Sequence, residues 1–132
     1  DMKTIKVATN SDLHKIIKDS APDADLNHLD VSSITSFEEL FYNSKFNGDI
    51  SKWDVSGAKY MNEMFSRSEF NGDISKWDVS NVEEMRLMFS NMHLKQQPLL
   101  ENVCLCLSLI EIWKSYQVEQ QPHCSQRKYL LN

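Results

Sequence analysis

A ten-residue stretch, Asn-Gly-Asp-Ile-Ser-Lys-Trp-Asp-Val-Ser, stands at 47–56 and again, unchanged, at 71–80, an offset of 24 residues. In the same register Met61, Met64, Phe65 and Ser66 match Met85, Met88, Phe89 and Ser90, so fourteen of twenty-four positions are identical. One period earlier, residues 23–46 form a degenerate copy. Leu26, Leu29, Asp30, Val31 and Ser32 fall on Ile50, Trp53, Asp54, Val55 and Ser56, while Ile34, Phe37, Leu40, Phe41 and Phe46 fall on Ala58, Met61, Met64, Phe65 and Phe70. A unit this short cannot bury its apolar residues alone, so a fixed period of this size predicts stacked copies sharing one continuous core.

Each copy carries two patterns. The first, apolar-x-x-apolar-x-apolar (Leu26/Leu29/Val31, Ile50/Trp53/Val55, Ile74/Trp77/Val79), ends in an alternation that predicts a short strand with one buried face. The second places Ala58, Met61, Met64 and Phe65, and again Val82, Met85, Met88 and Phe89, on one stripe of a helix of about two turns. Ser80 with Glu83 has the spacing of a capping box at its start. Asn47-Gly48 and Asn71-Gly72 mark turns. The expected fold is an α/β repeat solenoid, leucine-rich-repeat-like, with a short parallel strand and a short helix per 24-residue repeat and helical caps at both ends. Stacking turns each column into a ladder, so the structural core is expected to include Leu29, Trp53 and Trp77, Phe41, Phe65 and Phe89, and Met61 and Met85.

Ile-Ser-Lys-Trp-Asp-Val-Ser, followed by Val-x-x-Met-x-x-Met-Phe and by Phe-Asn-Gly-Asp, resembles the short bacterial surface-protein repeat of the BspA-like leucine-rich-repeat class, a domain of unknown function found in mycoplasma lipoproteins and other host-associated bacteria. The resemblance covers about 23–94, and the Leu13–Lys18 segment resembles the stretch that leads into such arrays. It implies a binding protein rather than an enzyme, at the bacterial cell surface or secreted. Residues 95–132 do not follow the family pattern, and no family role passes to them.

The period divides the chain into an N-terminal cap at 1–22, repeats at 23–46, 47–70 and 71–94, and a C-terminal segment at 95–132. In the cap, Lys3–Thr9 reads as a strand and 12–20 as a helix, N-capped by Ser11 and ended by Pro22. In the C-terminal segment, Pro98 opens an apolar run through Trp113 that reads as a buried helix over roughly 98–118, although the alternation of Leu105, Leu107 and Leu109 also fits a strand. Two roles are open for it: capping the third repeat, or pairing with a second copy as a homodimer. Residues 119–132 are polar.

Composition narrows the function. With 14 Lys and Arg against 19 Asp and Glu, the chain lacks the basic footprint of a general nucleic-acid binder. No apolar run approaches the about 18 residues of a membrane span, and no signal peptide is visible at the start. Three cysteines, Cys104, Cys106 and Cys124, make no disulfide framework. Together with His93 and His123 their spacing matches no standard zinc site, so no metal or cofactor is expected. No phosphate loop or nucleophile elbow is present.

The candidate binding face comes from alternation, which sends His28 and Asp30, Lys52 and Asp54, and Lys76 and Asp78 outward beside the buried strand positions. A charged row of this kind suits a protein partner. The competing and stronger reading is structural, with each Asp accepting backbone N–H groups of the next turn while the lysines offset the repulsion. Asn47-Gly48-Asp49 and its copy offer too few oxygens for a calcium loop. Trp53 and Trp77 fit glycan contacts only if exposed, and their place in the apolar frame makes them core. The expected function is a non-catalytic protein–protein interaction module; the alternative is a self-assembling module whose C-terminal apolar segment drives homodimerisation.

Overall fold

The computed structural model describes residues 3–91, so the expectations for 95–132 lie outside the described residues. Strand β1 spans Ile5–Lys6, helix α1 spans Asn10–Asp19 and strand β2 spans Leu29–Asp30. Helix α1 starts where the Asp12 amide donates to Thr9 Oγ1 at 3.1 Å, with Thr9 in extended conformation (φ −133°, ψ 156°). The N-cap is therefore Thr9 and not Ser11, and the helix opens two residues earlier than 12. Asp12 in the first turn and Lys18 in the last both complement the helix dipole. Ser20 ends it, donating its N–H to the Ile17 carbonyl at 3.1 Å and its Oγ to the Ile16 carbonyl at 2.6 Å. Leu13 and Ile17 are the buried residues of the helix.

β1 and β2 pair in parallel, Ile5 against Leu29 and Lys6 against Asp30. Both partners are 24 residues apart. Single parallel bridges carry the same offset onward, joining Asp25 to Asp49, Ser36 to Tyr60 and Tyr60 to Glu84. The N-terminal segment thus stands one period before the first copy. Ile5 takes the column of Leu29, Trp53 and Trp77, Val7 that of Val31 and Val55, and Leu13, Ile16 and Ile17 those of Phe37, Leu40 and Phe41. Beyond β2 the expected strands at 53–55 and 77–79 carry no strand pairing, although the Trp53 and Trp77 amides turn back to the Ile50 and Ile74 carbonyls, each at 3.2 Å, as the Leu29 amide of β2 does to Leu26.

The helix expected in each copy is absent. Residues 58–66 and 82–90 run as successive tight turns. Their N–H groups alternate in direction. Met64, Ser66 and Ser68 donate to carbonyls three residues back (Met61, Glu63 and Phe65), at 3.1–3.3 Å. Met61, Glu63, Phe65 and Arg67 donate sideways to Glu84, Arg86, Met88 and Ser90, 23 residues on, at 2.8–3.0 Å. Phe37, Glu39, Phe41 and Asn43 do the same to Tyr60, Asn62, Met64 and Ser66. A helix would keep those donors inside itself and leave nothing to join neighbouring units. The alternation requires left-handed backbone at fixed places: Glu39, Asn43, Glu63, Arg67, Leu87 and Asn91 all have φ between 52° and 57°. Such positions cost side-chain-bearing residues about 1 kcal/mol each, which lateral hydrogen bonds and burial offset. The Ser80–Glu83 capping box does not form. Ser80 Oγ donates to Asp78 Oδ1 instead, and the Glu83 amide donates to the Lys59 carbonyl.

At the centre of the core, columns become stacks. Phe41 and Phe65 lie parallel at 5.3 Å between ring centroids, Phe65 and Phe89 at 5.8 Å, and Trp53 and Trp77 at 6.4 Å. Phe46 and Phe70 form a third stack beside them, each ring also packed on the phenylalanine of its own unit. Leu29, Met61 and Met85 are buried in the same cluster. Trp53 and Trp77 are buried too, and each indole N–H reaches the preceding unit, Leu26 carbonyl at 2.9 Å and Ile50 carbonyl at 3.2 Å. This satisfies the one polar atom that burial of the ring would otherwise strand. Gly48 sits where units approach most closely: a Cβ there would meet the Ala24 carbonyl oxygen at 2.0 Å. Its φ is ordinary, so it is close approach and not a left-handed turn that requires glycine.

Candidate binding face

The structure places Lys52, Asp54, Lys76 and Asp78 on the surface, flanking the buried Trp53 and Trp77. His28 and Asp30, one unit earlier, are only half-buried, and His28 Nδ1 is buried with no hydrogen-bond partner among the described residues. The outward row is therefore fully exposed in the later copies and partly covered in the first, where β1 lies alongside.

Each aspartate is held by the serine two residues on. Asp30, Asp54 and Asp78 accept at Oδ1 the backbone N–H of Ser32, Ser56 and Ser80 at 3.0 Å, and the same serine hydroxyls at 2.6 Å. A second row is built identically: Asp49 accepts from Ser51 and Asp73 from Ser75, at 2.6–3.0 Å. The signal for this was the recurring Asp-x-Ser spacing, which makes the serines as much a part of the face as the aspartates. The serine hydroxyl and then the serine amide hold the carboxyls of Asp30, Asp54, Asp73 and Asp78 below the usual carboxylate value. For Asp49 the largest cause is a side-chain hydrogen bond from Asn27, followed by Ser51.

Charge distributes differently from the simple alternation. Lys52 stabilises the charge of Asp49 and Lys76 that of Asp73, three residues before each. Asp54 instead feels the repulsion of Asp30 and Asp78, the acids above and below it. Lys52 and Lys76 thus serve the second carboxylate row, where Asp49 still opposes Asp73; in the first row Lys6 offsets Asp30 while Asp54 faces Asp30 and Asp78, and serines hold the carboxylates of both rows.

Beside the second row lies an open cleft of about 380 Å³ lined by Asp23, Asn47, Gly48, Asp49, Ser51, Gly72 and Asp73. Asparagines tie its units together: Asn47 Oδ1 accepts the Asn71 amide at 2.7 Å and Asn27 Oδ1 the Lys52 amide at 2.8 Å. Elsewhere Asn62 spans three units, donating to Glu38 and Glu84 carboxylates at 2.8 Å each and accepting the Arg86 amide at 2.7 Å. The sequence marked Asn47 only as a turn residue and gave no sign of Asn27 or Asn62, because a side-chain amide bridging units has no signature beyond its column. Among the described residues no group of three or more His, Cys, Asp or Glu is arranged to hold a metal, and no helix is long and apolar enough to cross a membrane.

Residues 11–104 match the family described as "Mycoplasma protein of unknown function, DUF285". No curated protein and no solved structure matches the chain.

Proposed function

This chain belongs to the DUF285 family of mycoplasma proteins of unknown function, and from that premise we propose that it is a non-catalytic protein-interaction module, built as a short leucine-rich-repeat-like solenoid of the BspA-like class. The observation that carries the reading is the recurrence of an exposed Lys-x-Asp pair, Lys52/Asp54 and Lys76/Asp78, at equivalent positions of successive units. Hydrogen bonds spaced by the period hold those units side by side. The carboxylates are anchored at one oxygen by their serines, so the charges are presented on fixed stems and lose little freedom on binding. An anchored, serine-bonded carboxylate with lowered pKa is a poor proton carrier near neutral pH, which favours recognition over acid–base chemistry. The partner is a protein whose surface offers complementary charges at the spacing of one unit.

The test compares the intact chain with a Lys52→Glu/Lys76→Glu variant, both immobilised and exposed to the same protein mixture at low and high salt. Loss of captured protein in the variant, and at high salt, with unchanged melting temperature, is expected for a charged rim. Equal capture by both, or unfolding of the variant, would assign the lysines a structural role and remove the face.

A further inference from the structure

Two exposed carboxylates from different units are held together by one side-chain amide. Asn62 Nδ2 donates to Glu38 Oε1 and to Glu84 Oε2, each at 2.8 Å, so those two oxygens lie no farther apart than twice that distance. Asn62 Oδ1 accepts the Arg86 amide at 2.7 Å, which fixes the side chain with its nitrogen toward the acids. A neutral amide satisfies the two carboxylates without cancelling their charge, and like charges this close repel. Among the described residues no lysine or arginine pairs with either acid. Glu38 Oε2 and Glu84 Oε1 are left as further acceptors. Tyr60 adjoins the pair. It is bridged in parallel to Ser36 on one side and to Glu84 on the other, two residues before Asn62, and its side chain is 36% exposed. Its backbone is fixed on both sides: its N–H donates to the Thr35 carbonyl at 3.1 Å and its carbonyl accepts the Phe37 amide at 2.8 Å. Acids outnumber bases along these segments, with Glu39, Glu63 and Glu83 flanking the pair against Lys59 and Arg86.

We infer that Glu38, Asn62, Glu84 and Tyr60 recognise an arginine side chain presented by a protein partner. A guanidinium is planar and carries N–H donors on separate nitrogens, so it can bond both carboxylates at once and relieve their repulsion. Its face stacks on a phenol ring, which gives the exposed Tyr60 side chain a use that burial does not. A lysine ammonium is a compact, strongly hydrated point charge and has no flat face to stack. Because Asn62 already aligns the two acids, they lose little freedom when the arginine arrives. The inference takes the class of partner from the interaction reading above. It uses none of Lys52, Asp54, Lys76 and Asp78, so either can fail alone.

The probe is arginine capped at both ends (N-acetyl-arginine methylamide), added to the full chain and followed by NMR at the Asn62 side-chain amide and the Tyr60 ring. Saturable shifts at both are expected, and lysine capped in the same way should bind at least about twofold more weakly. Glu38→Gln keeps an acceptor for Asn62 and removes one charge. It is expected to weaken arginine binding about two- to fivefold, the effect of one exposed ion pair, with the melting temperature unchanged. Should that variant lose stability, Tyr60→Leu removes the stacking face alone and is expected to weaken binding by a similar about two- to fivefold. Lys52→Glu/Lys76→Glu is expected to retain the arginine response, which keeps this test separate from that of the charged face. No saturable shift at Asn62, equal affinity for the lysine probe, or unchanged affinity in both Glu38→Gln and Tyr60→Leu would overturn the inference.

Discussion

Helix α1 and the turns at 61–68 occupy equivalent places two units apart, and they are built in opposite ways. Leu13, Ile16 and Ile17 stand in the columns of Met61, Met64 and Phe65, and both sets feed one core. In α1 the backbone donors are used within the helix. In the interior units every second donor leaves its own unit for the next. The difference follows from position in the stack. An interior unit has a neighbour on each side and gains by joining both; the first described unit can satisfy its own backbone and still present apolar side chains. The junction between the two kinds shows in Asn10. Its side-chain amide donates to the Ser36 and Glu38 carbonyls at 3.0 and 3.3 Å, the columns whose later members, Tyr60 and Asn62, accept the Phe37 and Glu39 amides. A side chain replaces the lateral backbone donors that a helix withholds.

That contrast can be broken most forcefully in the core. Phe65→Ala removes a ring stacked on both sides, and a loss of ~3–5 kcal/mol is expected by chemical denaturation. Ile17→Ala, in the first unit, is expected to lose less, at the lower end of the about 2–5 kcal/mol range for aliphatic truncations, because it lies near the end of the core and retains 5% exposure. Equal losses would mean that the two units are equally embedded.

A smaller effect separates the two kinds of serine and threonine. Thr9→Ala removes a helix cap and is expected to cost about 1 kcal/mol, with faster exchange in α1. Ser80→Ala removes only the hydroxyl donor to Asp78 and leaves the amide bond, so helix content by circular dichroism should not change. A drop in helicity in the Ser80 variant would restore the helix that the capping-box spacing suggested.

The mildest change is with pH. Asp30, Asp49, Asp54, Asp73 and Asp78 all have carboxyls held below the usual 3.8. A carboxyl lowered on folding lends stability that is complete above its unfolded value and is lost as pH falls through its folded value. Stability is therefore expected to be level above about pH 5 and to decline below about pH 4 as these turns protonate. Amide protection at Ser56 and Ser80 should weaken there before that at Leu13. If Ser56 keeps the same protection factor at pH 3 and pH 6, the serine–aspartate turns do not depend on charge.

The period of 24 was legible from the repeated decapeptide alone, and so were the inward columns, since Trp53, Trp77, Phe65 and Met61 are apolar in a frame otherwise polar. The Asp-x-Ser turns followed from short polar side chains that bond their own backbone wherever they stand. All of these depend on composition and spacing within one or two units. What the tertiary structure decided was where the backbone donors go. An apolar pattern at offsets 0, 3, 6 and 7 fits a helix and a chain of turns equally well, because both return side chains to one side after three or four residues. Only a neighbour in place, offering the carbonyls of Glu84, Arg86, Met88 and Ser90, makes the turns with left-handed Glu63 and Arg67 the better solution. The same dependence moved the N-terminal segment from a separate cap to a unit in register, because pairing between Ile5 and Leu29 is a property of two segments, and neither carries the repeated decapeptide that would announce it.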